Sequence, residues 1–179
     1  MLFPYPVTLV GADVDEKPNF ITIAFIGIVN INPSMIALGA NRGHYTTKGI
    51  QKNKSFSVNI HSEELLYVTD YMGLKSGRDI DKSKEFEIFY GKLKNAPMIK
   101  ECPINLECKL LQYLNMGGAD DIVIGEIVES YVDEKCLTGD KVDIEKLRPM
   151  IFSMYENKYL GVGKVLGEGW KIGNNYTPK

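Results

Sequence analysis

Residues 40–60 read ANRGHYTTKGIQKNKSFSVNI, and positions 42–48 gather Arg42, His44, Tyr45, Thr46, Thr47 and Lys48 next to Gly43 and Gly49. So many hydrogen-bond donors in one short stretch suit an anion. The pattern puts the end of a strand at Ala40 and the start of a helix near Thr46, with that helix running over 45–53. A helix N-terminus leaves backbone N–H groups unpaired and carries a partial positive charge, which favours phosphate. Arg42 adds a fork for bidentate contact, Lys48 a point charge and the threonines hydroxyl donors. A plainer reading of the same residues is a solvated turn in which Thr46 or Thr47 caps the helix. Spacing alone does not choose between them.

The elements that would position this cluster are mostly strands. PVTLVGAD (6–13) and NFITIAFIGIV (19–29) are rich in β-branched and aromatic residues, and turn formers lie between them. SMIALGA (34–40) follows Pro33 and reads as a strand. SFSVNI (55–60) alternates, so Phe56, Val58 and Ile60 are expected on one face. Residues 62–73 read as a helix capped by Ser62, with acidic residues in its first turn and Gly73 as its stop. The polar stretch after it, SGRDIDKS, reads as a loop. Two long strand patterns at 104–116 and 121–133 flank GGAD and predict a hairpin, followed by a short helix over 143–149. A last strand then runs into a Gly-rich, aromatic tail. Many strands with few helices predict a mainly β protein: an antiparallel β-barrel forming a single domain over 1–179.

Composition bounds the function. A chain of 179 residues fits one domain, and 44% hydrophobic residues suffice for a core. The net charge of −2 gives no electrostatic attraction to nucleic acid or an anionic membrane. No run approaches the roughly 18 apolar residues of a membrane span, and the N-terminus lacks a basic signal-peptide region. A cytoplasmic location is expected. Three cysteines, no CxxC pair and two histidines argue against a disulfide framework or a zinc site. Cys102 and Cys108 are expected as small buried hydrophobes rather than nucleophiles.

The ordered set PYPVTLVG, NFITIA, the 40–60 segment, SGRDIDKSKEF, APMIKECPINLEC, DIVIGEIVESYVDE and YLGVGKVLG resembles the flavin reductase-like family. These are FMN-binding split barrels that include the flavoredoxins, and the likeness covers nearly the whole chain. The resemblance implies a six-stranded antiparallel barrel, a homodimer, and FMN near the subunit interface. By position it places the flavin ring against Asn19, Thr22, Ile23 and Ala24, where Ile21, Ile23 and Phe25 also read as alternate core positions. It places the phosphate on Asn41, Arg42, Tyr45, Thr46 and Thr47. Ser76 and Lys82 would reach the flavin from one subunit or its partner. Trp170 and Tyr159 could cover a flavin face. One departure stands out: members that use NAD(P)H often carry a histidine in the turn between the two long strands, where this chain reads GGADD. An aspartate there would repel a dinucleotide's phosphates. The resemblance thus implies an FMN-dependent oxidoreductase that passes electrons from a reduced donor such as NAD(P)H to a small acceptor. The alternative is a flavoredoxin-type electron carrier acting with protein partners.

Overall fold

The computed structural model describes residues 4–178. Seven strands build one sheet: β1 (Thr8–Val14), β2 (Lys17–Ile23), β3 (Ile26–Ile31), β4 (Ser34–Asn41), β5 (Ser55–Ile60), β6 (Ile104–Leu114) and β7 (Asp120–Val132). Their order is β2-β1-β5-β6-β7-β4-β3, antiparallel throughout.

The two ends of that order explain the architecture. The run 19–29 was expected as one strand, and the chain instead bends after Ile23, where the Ile26 N–H donates to the Ala24 carbonyl at 3.0 Å. Before the bend β2 pairs with β1 at one edge; after it β3 pairs with β4 at the other. Consecutive stretches of one segment therefore form both edges, and the sheet curls round to meet at this corner, as strands that switch sheets do. Apolar alternation continues through Ala24 and Phe25, so the pattern carries no mark of the bend. Packing does: Phe25 lies edge-on to Tyr5, ring centroids 5.2 Å apart, and occupies space that Gly39 leaves open.

Side chains from both ends of the sheet share one core. Val10, Ala12, Ile21, Ile23, Ile36, Leu38, Phe56, Val58, Cys108 and Val123 pack together, joined by Ile50 from α1 (Tyr45–Asn53). Each such side chain contributes about 1.5–3 kcal/mol when fully buried. Ile60 packs with Ile104, Cys136 and Leu147 in a neighbouring cluster, beyond the end of the barrel core. The other face of β5 is buried too. It is tolerated because its polar groups are paired: Asn59 donates to the Leu9 carbonyl at 2.8 Å and accepts from the Ile99 N–H at 3.1 Å.

Outside β1 and β2 a second cluster of Leu9, Phe20, Met72, Phe86, Ile99 and Cys102 is covered by α2 (Leu66–Leu74) and the 82–86 segment. Ser62 caps a 3-10 turn, Glu63–Leu65, that leads into α2. Gly73 lies inside α2 rather than ending it, and the chain leaves in extended form at Lys75. Burial raises the thiol pKa of Cys102 and of Cys108, in keeping with inert core cysteines. A short helix, α3 (Ile144–Leu147), is capped by Asp143. Two further strands, β8 (Met150–Ser153) and β9 (Lys158–Gly161), pair beside Tyr5–Pro6. No described helix is long and apolar enough to cross a membrane.

Candidate functional site

Because β2 is an edge strand, one side of its backbone has no sheet partner. The C-terminal half of α2, the loop after it and the N-terminus of α1 stand around that edge and leave a groove. At its head a cavity of about 200 Å³ is lined by Asn19, Ile21, Gly43, His44, Tyr45 and Thr46 on one side, and by Gly73, Leu74, Ser76, Gly77, Arg78 and Lys82 on the other. A cavity of about 240 Å³ continues from Gly73 and Leu74 to Thr22, Ala24, Val7, Phe152 and Tyr159. A third, of about 380 Å³, opens beyond Tyr45 and Arg78 toward the β1–β2 turn.

The head is built for a negative charge. The N-cap of α1 is His44, whose side chain makes no capping hydrogen bond. Neither threonine caps: the Thr47 hydroxyl donates back to the His44 carbonyl at 2.5 Å, and Thr46 Oγ1 accepts from the Asn19 amide at 2.6 Å. His44 Nδ1 is buried without a partner. Burial lowers the pKa of His44, the charge of Lys82 lowers it further and Asp120 opposes both. A neutral imidazole with one buried, unpartnered nitrogen therefore stands in the cavity wall.

Lys82 is the least expected feature. A loop lysine beside Asp81 ordinarily points to water, yet this one is 2% exposed. Its ammonium donates to the Phe20 carbonyl at 2.9 Å and the Met72 carbonyl at 2.6 Å, tying β2 to α2. Burial without a counter-charge pushes its pKa down to about 8. A fixed cation with no carboxylate partner at a cavity wall suits an anionic ligand.

The remaining expected residues divide. Asn19, Tyr45, Thr46, Ser76 and Lys82 come together at the head, and Thr22 and Ala24 lie further along the same groove. The Thr22 hydroxyl donates to the Thr69 carbonyl. Ile23 is a core residue, 5% exposed. Asn41 accepts from the Gly43 N–H at 2.9 Å and shapes the turn. Thr47 is buried behind the helix start. Arg42 engages the β6–β7 hairpin, with Nε 2.8 Å from Asp121 Oδ1 and a terminal nitrogen 2.5 Å from Asn115 Oδ1.

Arg78 was not singled out from the sequence. It donates to the Gly43 carbonyl at 2.9 Å and stacks over the Tyr45 ring at 5.4 Å, so its charge stands at the head. Its only sequence signal was its place inside SGRDIDKS. Gly77 was also missed. A side chain there would collide with the Asn19 amide and the Tyr45 ring, so a glycine is what lets the loop close over the head. Among the described residues no group of three or more His, Cys, Asp or Glu side chains is placed to share a metal ion.

The flavin reductase like domain pattern matches residues 1–155 of this chain. The chain belongs to the flavin reductase like family. A flavoredoxin from Methanosarcina acetivorans is 44% identical, with 97% of this chain and 92% of that one superposed at a TM-score of 0.94. The flavoredoxin of Desulfovibrio vulgaris (Miyazaki F) is 33% identical, covering 97% of this chain and 94% of that one at 0.89. An FMN-binding protein from Thermus thermophilus, solved with bound 1-cyclohex-2-enone, shares the fold at 21% identity and a TM-score of 0.79, over 93% of this chain and 91% of that one. The architecture is thus the split barrel of this family, and its function lies in flavin-linked redox chemistry.

Proposed function

We propose that this chain binds FMN in the β2 groove and passes electrons from a reduced donor to an acceptor. The observation that carries this is the open N-terminus of α1: no side chain caps it, His44 Nδ1 lacks a partner, and the uncompensated ammonium of Lys82 stands opposite. A phosphate supplies acceptor oxygens for the helix N–H groups and a negative charge for the ammonium. A flavin without phosphate supplies no such charge.

Each residue then has a task. The first N–H groups of α1 donate to the phosphate, with His44, Ser76, Arg78 and Lys82 around it. Backbone groups on an edge strand recur every second residue. The Phe20 carbonyl, bonded to Lys82, marks the free edge of β2, which brings Thr22 to the same edge, with Ala24 just past the strand's end beside the second cavity. The ring system fits there, its polar rim toward those backbone groups and its face toward Phe152 and Tyr159. Bound FMN supplies the hydride and one-electron chemistry, while the protein orients it and controls solvent access.

A second reading, an electron carrier without a pyridine-nucleotide site, is favoured by the β6–β7 turn. Gly117 to Asp121 hold two carboxylates and no histidine, and Arg42, the cation beside them, is engaged by Asp121. The test is an absorption spectrum of the FMN-loaded protein during anaerobic addition of NADH or NADPH. Rapid bleaching by either establishes a nucleotide-dependent reductase; bleaching by dithionite alone establishes the carrier. Failure to retain FMN would overturn both.

A further inference from the structure

The cavity of about 380 Å³ beyond the head has no task in the FMN reading. Five residues border both it and the head cavity, and so form the partition between them: Asn19, Tyr45, Gly77, Arg78 and Lys82. Four of the five are fixed. The Asn19 amide donates to Thr46 Oγ1 at 2.6 Å, and two carbonyls hold the Lys82 ammonium. Gly77 lies against Asn19 and Tyr45, and the Tyr45 hydroxyl donates to Asp15 at 3.2 Å. Arg78 differs. It is exposed, and among the described residues no carboxylate pairs with it. Its side chain crosses from the 76–82 loop to the Gly43 carbonyl at the start of α1, at 2.9 Å, and lies over the Tyr45 ring on the way.

The space behind this crossing has the chemistry of a nucleoside site. Val14, Pro18 and Ile80 offer apolar surface, the Asp79 and Asp81 carboxylates offer acceptors for sugar hydroxyls, and Lys17 adds a cation. Its volume lies in the range of small-molecule sites, about 300–1,000 Å³. A group attached to the far side of a phosphate in the head would have to enter here. FMN ends at that phosphate. FAD continues through a second phosphate to adenosine, and its path runs through the position that the Arg78 side chain occupies.

We infer that Arg78 is the specificity-determining residue that restricts this site to a flavin mononucleotide. Its guanidinium closes the head behind a terminal phosphate and bars the extension of FAD from the outer cavity. To admit FAD, the guanidinium must leave both the Gly43 carbonyl and the Tyr45 ring, a cost that FMN does not meet. Discrimination by an obstructing group of this kind adds to whatever attraction the same charge exerts on phosphate. The inference rests on the proposed binding of FMN in the β2 groove.

The test is a titration of the flavin-free full chain with FMN and with FAD purified free of FMN, in the native protein and in Arg78→Ala. The native chain should bind FMN at least 30-fold more tightly than FAD. In Arg78→Ala the two affinities should move in opposite directions, FMN weakening about tenfold and FAD strengthening at least tenfold. Loss of a positive charge alone would weaken both flavins, so the opposite signs separate obstruction from attraction. Adding Asp79→Trp, at an exposed position that lines only the outer cavity, should remove the gain for FAD and leave FMN at its Arg78→Ala value. An FAD affinity unchanged or weakened in Arg78→Ala would overturn the inference, as would a native chain that binds both flavins equally. So would a gain for FAD that survives Asp79→Trp. A native chain that binds neither flavin overturns the FMN reading and the inference with it, whereas native FMN binding without the FAD gain overturns the inference alone.

Discussion

The two ends of the groove are built on different principles. The head is polar and tight, formed by the start of α1, the 76–82 loop and one buried ammonium, with donors around its cavity. The far end is mainly apolar, with Val7, Ala24, Phe152 and Tyr159 from distant parts of the chain, and polar ties from the Tyr159 hydroxyl to Asp70 at 2.8 Å and from the Thr22 hydroxyl to the Thr69 carbonyl. Burial and that carboxylate push the Tyr159 phenol up to about 12. The head can recognise charge and geometry, whereas the far end offers contact area and little direction. Affinity and selectivity for a phosphorylated flavin should therefore reside at the head.

That asymmetry can be broken most severely at Gly77. Gly77→Val places a side chain on the Asn19 amide and the Tyr45 ring. Isothermal titration should show FMN affinity reduced by at least 100-fold, about 2.7 kcal/mol. An unchanged affinity would move the phosphate elsewhere.

Lys82 comes next. Lys82→Met should weaken FMN by roughly 30-fold, about 2 kcal/mol. Stability should change less, because the loss of two carbonyl contacts is offset by the end of a buried charge's desolvation. The pH dependence sharpens the point. An anion at the head favours charged Lys82 and so raises its pKa on binding. Affinity is then fully present below pH about 8, the pKa of the free protein, and declines as pH rises through it. Titrations from pH 7 to 9.5 should show that decline in the native chain and a flat profile in Lys82→Met. For folding the sign is opposite: the unfolded lysine holds its proton up to its ordinary pKa of about 10.4. The unfolded state therefore binds more protons between about 8 and 10.4, and the Lys82 contribution to stability rises with pH across that window.

Two arginines give a smaller and more pointed contrast. Arg78→Ala should lose about tenfold in FMN affinity, some 1.4 kcal/mol, while Arg42→Ala stays within about threefold, because its guanidinium is engaged by Asp121 and Asn115. Equal losses would put Arg42 on the phosphate and contradict the geometry. The smallest effect is expected at the far end. Tyr159→Phe removes the bond to Asp70 and should cost about 1 kcal/mol in thermal unfolding, with FMN affinity changed by less than about twofold.

The same asymmetry governs what the sequence disclosed. The α1 boundaries, the hairpin and most strands follow from local patterns, and Tyr45 and Thr46 were visible because the phosphate-type cluster is contiguous. The bend at Ala24–Phe25 was hidden because an apolar strand and an apolar corner look alike, and what distinguishes them is Gly39, fourteen residues on in the chain. The inward turn of Lys82 was hidden for a related reason: its partners are backbone carbonyls of Phe20 and Met72, and no residue type marks a carbonyl as available. Arg42 and Arg78 differ in role because of Asp121 and Gly43, contacts fixed only once the hairpin and the loop are in place.

The central claim, a phosphate held at the N-terminus of α1, is tested most directly by titrating the flavin-free protein with FMN and with riboflavin under the same conditions. The two ligands share the ring and differ in the phosphate. The account predicts one FMN per chain, bound at least 100-fold more tightly than riboflavin, with the difference abolished in Gly77→Val. Equal affinities for the two would contradict it.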